Sequence, residues 1–273
     1  MIFEQHTPTG LLSEFIENIV FYDGYSAQHL VDKLLPDGSI NLLMDMSNKP
    51  SKLYHDIELK KCTDFNGSFI SGQHKAFILI EANHSSMMVT RFKPGGAYPF
   101  FDFPISKLND TVKQLEPIWG DKVEKIRKAI LIEKEIKKKF ELVEEFYLSQ
   151  LNKNIKRDES FEKVLYHLSE NPQQSSIKEL AEIMQVSQKH LITLFDKRVG
   201  LKPKYLARIY RFQKAIKKLE HQDKIDWIDL AHECGYYDQS HFIRDFLEFS
   251  GINPSDYPHL KGEYMNYIPL GTR

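Results

Sequence analysis

A chain of 273 residues with 37 basic and 38 acidic side chains, net charge −1, is long enough to bury two cores, and its overall neutrality hides an uneven distribution of charge along the sequence. Its 2 cysteines, Cys62 and Cys234, lie far apart with no CxxC, which argues against a disulfide framework or a zinc site and fits a reducing cytoplasm. The first ten residues, MIFEQHTPTG, lack the basic and apolar regions of a signal peptide, and no window approaches the roughly 18 apolar residues of a membrane span.

Thr9-Gly10 precede an apolar-periodic stretch over Leu11–Ile19 that runs into Val20-Phe21-Tyr22. His29–Leu35 and Ser39–Met46 flank Pro36-Asp37-Gly38, a turn in which Pro presets one angle and Gly accepts positive φ. Ala76–Ala82 and Ser86–Phe92 are partly alternating runs around Asn83-His84. The pattern predicts a small antiparallel sheet or barrel over Val20–Phe92. From Ser106 onward it turns helical. Ile136, Phe140, Val143, Tyr147 and Leu151 form one stripe, suited equally to a dimer helix and to a helix packed on its own sheet. Asn152–Ser160 is polar and reads as a linker.

Beyond it, two stretches follow one pattern. Leu180-Ala181, Val186, Leu191, Phe195, Gly200, Pro203 and Tyr205 are matched by Leu230-Ala231, Tyr236, Phe242, Phe246, Gly251, Pro254 and Tyr257. Phe-x4-Gly-x2-Pro is identical in both. Ser176-Ile-Lys-Glu179 is a capping box, Ser187 can cap the next helix, and Leu191 with Phe195 form its buried stripe. Gly200 stops that helix and Pro203 starts another. The pattern reads as two helix-turn-helix units joined by a helix from Pro203 to about Glu220, roughly 27 Å long. Reading helices at its ends would sit about one DNA turn apart. From Ser187 to Lys218 the charges are nearly all positive, with Asp196 the sole acid; from Leu219 to Glu263 acids dominate. The first copy therefore has the phosphate-facing composition, with Lys197, Arg198, Lys202 and Lys204 as candidate phosphate contacts.

These residues resemble the AraC/XylS family of bacterial transcription regulators over about Phe161 to Tyr257. The second copy, Ala231-x2-Cys-Gly-Tyr-x-Asp-Gln-Ser-His-Phe-x-Arg-x-Phe246-x4-Gly-x2-Pro-x2-Tyr257, is the more specific part. The resemblance implies a seven-helix DNA-binding domain with reading helices at Gln188–Arg198 and Gln239–Phe249. Carried over by position, it implies base contacts from Gln188, Lys189, Ile192 and Thr193 in the first, and from Gln239, Ser240, Ile243 and Arg244 in the second. Lys and Arg suit guanine, Gln suits adenine, and Ile or a Thr methyl suits the thymine methyl. Many members carry Arg where this chain has Thr193, so the first helix is expected to read bases weakly, while its lysines hold phosphate. Leu35-Pro36-Asp37-Gly38-Ser39-Ile40-Asn41-Leu42, Phe69-Ile70-Ser71-Gly72 and Arg91-Phe92-Lys93-Pro94-Gly95-Gly96 look like an uncharacterised N-terminal domain carried by some AraC-type regulators. That resemblance implies a sensing or oligomerising role.

The expected architecture is α+β: an N-terminal antiparallel sheet or barrel-like domain with helices over 1–152, a linker over 153–160, and an all-α DNA-binding domain over 161–273. The expected partners are double-stranded DNA, RNA polymerase and a small-molecule effector, with no membrane, no cofactor and no metal, and with monomer and homodimer both open. Catalysis is not expected: the chain has no GxSxG, P-loop or HExxH. The competing reading is a protein-interaction module with degenerate DNA binding, suggested by the acidic second copy. Smaller alternatives attach to single residues. His74 and His84 suit strand-end surface better than metal. Arg91 suits a structural salt bridge better than an anionic effector. Cys234 suits a buried turn, Cys62 suits bland surface better than a redox or alkylation sensor, and Tyr98, Phe100, Phe101 and Phe103 suit core.

Overall fold

A computed structural model describes residues 1–47, 49–83, 86–152, 158–220 and 225–272. Among these residues the first part carries ten strands: β1 (Ile2–His6), β2 (Ile16–Asp23), β3 (His29–Leu34), β4 (Ile40–Asp45), β5 (Ser51–Tyr54), β6 (Cys62–Phe65), β7 (Ser68–Ser71), β8 (Ile78–Glu81), β9 (Ser86–Phe92) and β10 (Val112–Gln114). Three helices follow: α1 (Glu116–Trp119), α2 (Lys122–Ile132) and α3 (Ile136–Gln150). With a last strand from the far end of the chain, β11 (Tyr267–Thr272), two antiparallel sheets result, one in the order β1-β2-β9-β4-β7-β10 and one in the order β11-β3-β8-β5-β6. The expected antiparallel sheet is present, but its neighbours are not those in sequence. The turn at Pro36-Asp37-Gly38, between β3 and β4, and the connection from β8 to β9 each carry the chain from one sheet to the other. A compact two-sided core needs its strands dealt between two layers, and these turns make the transfer.

Strand alternation sorts side chains in the larger sheet. Ile19 and Phe21 of β2, Ile40, Leu42 and Met44 of β4, and Met88 and Phe92 of β9 are buried in one core. That core also takes Val123 and Ile130 of α2 and Phe140, Val143, Phe146 and Tyr147 of α3. The stripe on α3 is thus spent on its own sheet, and Phe100 joins the same core with Tyr98, Phe101 and Phe103 packed against it. The intervening residues, Val20, Tyr22, Asn41, Leu43, Val89 and Arg91, face the other way, toward the smaller sheet.

The second part is helical: α4 (Glu159–Glu170), α5 (Ile177–Met184), α6 (Gln188–Leu194), α7 (Pro203–Leu219), α8 (Trp227–Glu233), α9 (Gln239–Ser250) and α10 (Tyr257–Leu260), which makes seven helices among the described residues. Of the expected linker, 153–157 lies outside the described residues; Asp158 already caps α4 through Phe161 N–H at 3.1 Å. Leu180, Ala181, Leu191 and Phe195 of the first copy and Leu230, Ala231, Phe242 and Phe246 of the second share one core around Leu206, Ile209, Phe212 and Ile216 of α7. The last strand, β11 (Tyr267–Thr272), leaves this part and pairs antiparallel with β3, from Tyr267 against Leu34 to Thr272 against His29. The two parts also touch directly. Phe77 N–H donates to Phe249 C=O at 2.9 Å, Asn109 Nδ2 to Gly200 C=O at 2.7 Å, and Lys33 Nζ to Ser250 C=O at 3.0 Å.

Candidate nucleic-acid interface

Both reading helices are built by local capping. Ser176 accepts from Glu179 N–H at 3.2 Å while Glu179 reaches back to Ser176 N–H at 2.8 Å, the capping box expected for α5. The turn after α5 is closed by Gln185 at φ 56°. Ser187 then caps α6 through His190 N–H at 3.1 Å. In the second copy Asp226 caps α8, and Asp238 caps α9 through His241 N–H at 2.7 Å. Cys234 is buried in the intervening turn, and burial pushes its thiol up to about 11.

The first reading helix covers the expected Gln188–Arg198 but changes its winding partway along. It is α-helical over Gln188–Leu194 and widens into a π-helical turn over Phe195–Val199 before Gly200, at φ 97°, ends it. Gln188, Lys189, Ile192 and Thr193 are exposed on α6. Thr193 Oγ1 donates to Lys189 C=O at 3.0 Å, so its hydroxyl is bonded back to its own helix and its methyl is the freer part. On α9, Ser240 and Arg244 are exposed, and Gln239 and Ile243 are half-buried. Arg244 Nε donates to Ser240 C=O at 3.3 Å. The acids beside it, Asp245 and Glu248, face Arg208 instead, at 2.8 and 2.5 Å. Tyr237, 87% exposed just before α9, adds an aromatic ring to this face at a position the signature leaves unassigned.

The basic run is not used uniformly, and Lys218 already pairs with Glu233. Lys189, Lys197, Lys202, Lys204, Lys214 and Lys217 are exposed. The arginines are used inside the protein. Arg208 bonds Asp245 and Glu248, and Arg211 Nη2 lies 3.9 Å from Asp245. Arg198, expected at phosphate, is instead ion-paired to Asp158 at 2.6 Å, its guanidinium 5.0 Å from the centroids of Tyr98 and Phe161. A planar guanidinium can stack and bond at once, which suits it to such internal clamps. Composition alone does not separate these arginines from their lysine neighbours.

A second feature lies in the first part. A cavity of about 880 Å³ opens between the two sheets, lined by apolar side chains such as Tyr22, Leu43, Leu53, Phe69 and Val89. At one end Arg91 bonds Asp37 at 2.6 Å and Glu17 at 2.9 Å, which makes it the structural bridge favoured from sequence. Burial alone would raise the Asp37 carboxyl; the Arg91 charge and the Ser39 hydrogen bonds outweigh it and hold the group below the usual carboxylate range. His74 bonds Ser71 Oγ at 3.0 Å, and burial lowers its pKa. His84 lies outside the described residues, among which no group of three or more His, Cys, Asp and Glu side chains is placed to hold a metal.

Residues 180–259 match the profile of a helix-turn-helix domain, and residues 4–114 match a domain of unknown function, DUF6597. An uncharacterised HTH-type transcriptional regulator of Haemophilus influenzae is 28% identical over 103 residues, 37% of this chain. The match spans only 34% of that protein's length. ToxT from Vibrio cholerae O395 superposes with a TM-score of 0.45 at 12% identity, over 94% of this chain and 97% of that one. A probable AraC family transcriptional regulator from Rhodopseudomonas palustris gives a TM-score of 0.34 at 22% identity, over 37% of this chain and 96% of that one.

Proposed function

We propose that this protein, which carries an AraC-type helix-turn-helix domain at its C-terminus, is a sequence-specific DNA-binding transcription regulator whose single chain enters two successive major grooves. One observation carries the reading: two separately capped helices, α6 and α9, present polar side chains outward from opposite copies of one motif joined by α7, whose 17 residues span about 25 Å. Gln188, Lys189, Ile192 and Thr193 would face one half-site, and Gln239, Ser240, Ile243 and Arg244 the other. Lys197, Lys202 and Lys204 would hold phosphate, which positions the protein without specifying sequence. Arg198, already clamped to Asp158, leaves that set.

The cavity between the sheets supports a small-molecule effector. Its volume of about 880 Å³ lies within the roughly 300–1,000 Å³ of small-molecule sites, and it combines apolar walls with a few polar groups. Residues 1–152 are then the sensing or oligomerising unit and 161–273 the DNA-binding unit, with β11 crossing back between them. RNA polymerase is the partner through which bound DNA would be read out, and the role is regulatory rather than enzymatic. No helix of the described residues is long and apolar enough to cross a membrane; the proposed place of action is the cytoplasm, with the DNA.

Footprinting on a duplex selected from a random pool tests the reading. Two protected major-groove segments about one helical turn apart are expected for each monomer. A single short footprint would defeat bipartite contact, and no selectable duplex at low salt would favour the interaction-module reading.

A further inference from the structure

The segment after α10 belongs to both parts of the molecule. Its root is tied to the end of α7: Lys261 Nζ lies 2.9 Å from Glu220 Oε2, and Tyr257 Oη donates to Glu220 Oε1 at 2.9 Å. The chain then turns back, with Gly262 N–H donating to Tyr267 C=O at 3.0 Å and Tyr267 N–H to Tyr264 C=O at 3.1 Å. Asn266, buried and at φ 71°, sits at the crossing. Its side-chain oxygen accepts from Gln213 Nε2 of α7 at 2.9 Å, and its main-chain oxygen accepts from Leu35 N–H at 2.9 Å. Gln213 also donates to Pro36 C=O at 2.8 Å, at the turn that holds Asp37. One residue of the tail thus joins the helix between the reading helices to a strand end at the cavity.

The same segment is a wall of that cavity. Tyr264, Met265, Tyr267 and Pro269 line it, so a site in the first part is closed by chain that arrives from the second. The wall is anchored at Ile268, 1% exposed in the core of the second part, and open before it: Tyr264 and Met265 are 42% and 46% exposed, and β11 is an edge strand that pairs, among the described strands, with β3 alone, with Pro269 inside it. Proline is confined to edge strands because it cannot donate to a ladder. Sparsely packed edge segments open at lower free energy than core elements.

We propose that Gly262–Thr272 is a movable wall of the effector cavity, and that its position is transmitted to α7 through Asn266 and Gln213. A ligand seated against Tyr264, Met265 and Tyr267 shifts the wall, and the shift changes how the two reading helices meet DNA. This rests on the regulatory reading above. Linkage makes the effect reciprocal: if the wall alters DNA affinity, bound DNA alters the wall.

The test needs no effector. Amide hydrogen exchange of residues 267–272 is followed in the full chain with and without a selected duplex. The duplex should change these rates by about tenfold or more, and Asn266→Gly should abolish the change. Glycine keeps the left-handed backbone there and removes the side chain that accepts from Gln213. In parallel, Asn266→Gly and a chain ending at Lys261 should bind the duplex with affinity shifted about fivefold or more from the full chain. Exchange indifferent to the duplex, or affinities unshifted, overturns the proposal. If the shortened chain does not fold, Asn266→Gly decides alone. If the unaltered chain binds no duplex at all, the DNA-binding reading fails first, and visibly so.

Discussion

Replacing Arg208 with Met removes a charge and keeps most of the side chain's length. Arg208 holds α7 against the second reading helix. Its Nη2 lies 2.8 Å from Asp245 Oδ1 and its Nε 3.3 Å from the same oxygen, while the guanidinium stacks 5.1 Å from the rings of Tyr205 and Phe249. The Asp245 side chain is 5% exposed and that of Arg208 is 21%. Removing one partner of a buried pair costs about 3–5 kcal/mol, because the other charge is left without compensation. Arg211 and His241, each 3.9 Å from Asp245, remain to offset part of this. The more exposed Glu248 contact adds only a few tenths of a kcal/mol. The expected loss is therefore about 2–3 kcal/mol. The double change Arg208→Met with Asp245→Leu should recover most of it, since an apolar pair of similar volume is often as stable as the ionic one. Urea unfolding in a Trp119→Phe background reports on Trp227, which stacks 6.4 Å from Phe242 in the second helix-turn-helix. A loss below about 0.5 kcal/mol that simply adds in the double variant would show that the pair does not hold α9 in place. In footprints, Arg208→Met should weaken the second half-site and spare the first.

Other expectations follow from the same geometry. Arg244→Ala should relax preference at one guanine-containing position, worth about 1–3 kcal/mol of discrimination, while Thr193→Ala, whose hydroxyl is already bonded to Lys189 C=O, should barely change the selected sequence. An unchanged motif for Arg244→Ala sinks that assignment. Lys202→Ala or Lys204→Ala should weaken binding to all sequences and flatten the salt dependence by about one unit, whereas altered base preference at an intact slope would contradict a phosphate role. Asp37 is depressed in the folded state, so its stabilising contribution is full above the ordinary carboxylate value of about 3.9 and is lost as pH falls through the lower folded value. Asp37→Asn should lower the melting temperature at neutral pH and remove part of the acid-side fall; an acid limb that overlays the unaltered protein would show the Arg91 pair to be inert.

What could be read along the chain was whatever depends on neighbours a few residues away. Capping at Ser176 and Ser187, the stop at Gly200, the start of α7 at Pro203 and the buried stripes of both copies are local arrangements, and the structure keeps them where the spacing put them. Strands with alternating apolar runs, such as β4 and β9, were legible for the same reason. The short strands β5 and β6 were not, since four residues with few buried side chains leave no period to detect. Nor does the sequence distinguish Arg198, Arg208 and Arg211 from the lysines around them. Their inward use depends on Asp158 and Asp245, which only folding brings near. The cavity and its last wall are the extreme case. Turns decide which strand goes to which sheet, and β11 finds β3 across more than two hundred residues of chain. Such pairings are set by what surface remains unpaired once both cores have closed, a quantity that exists only in three dimensions.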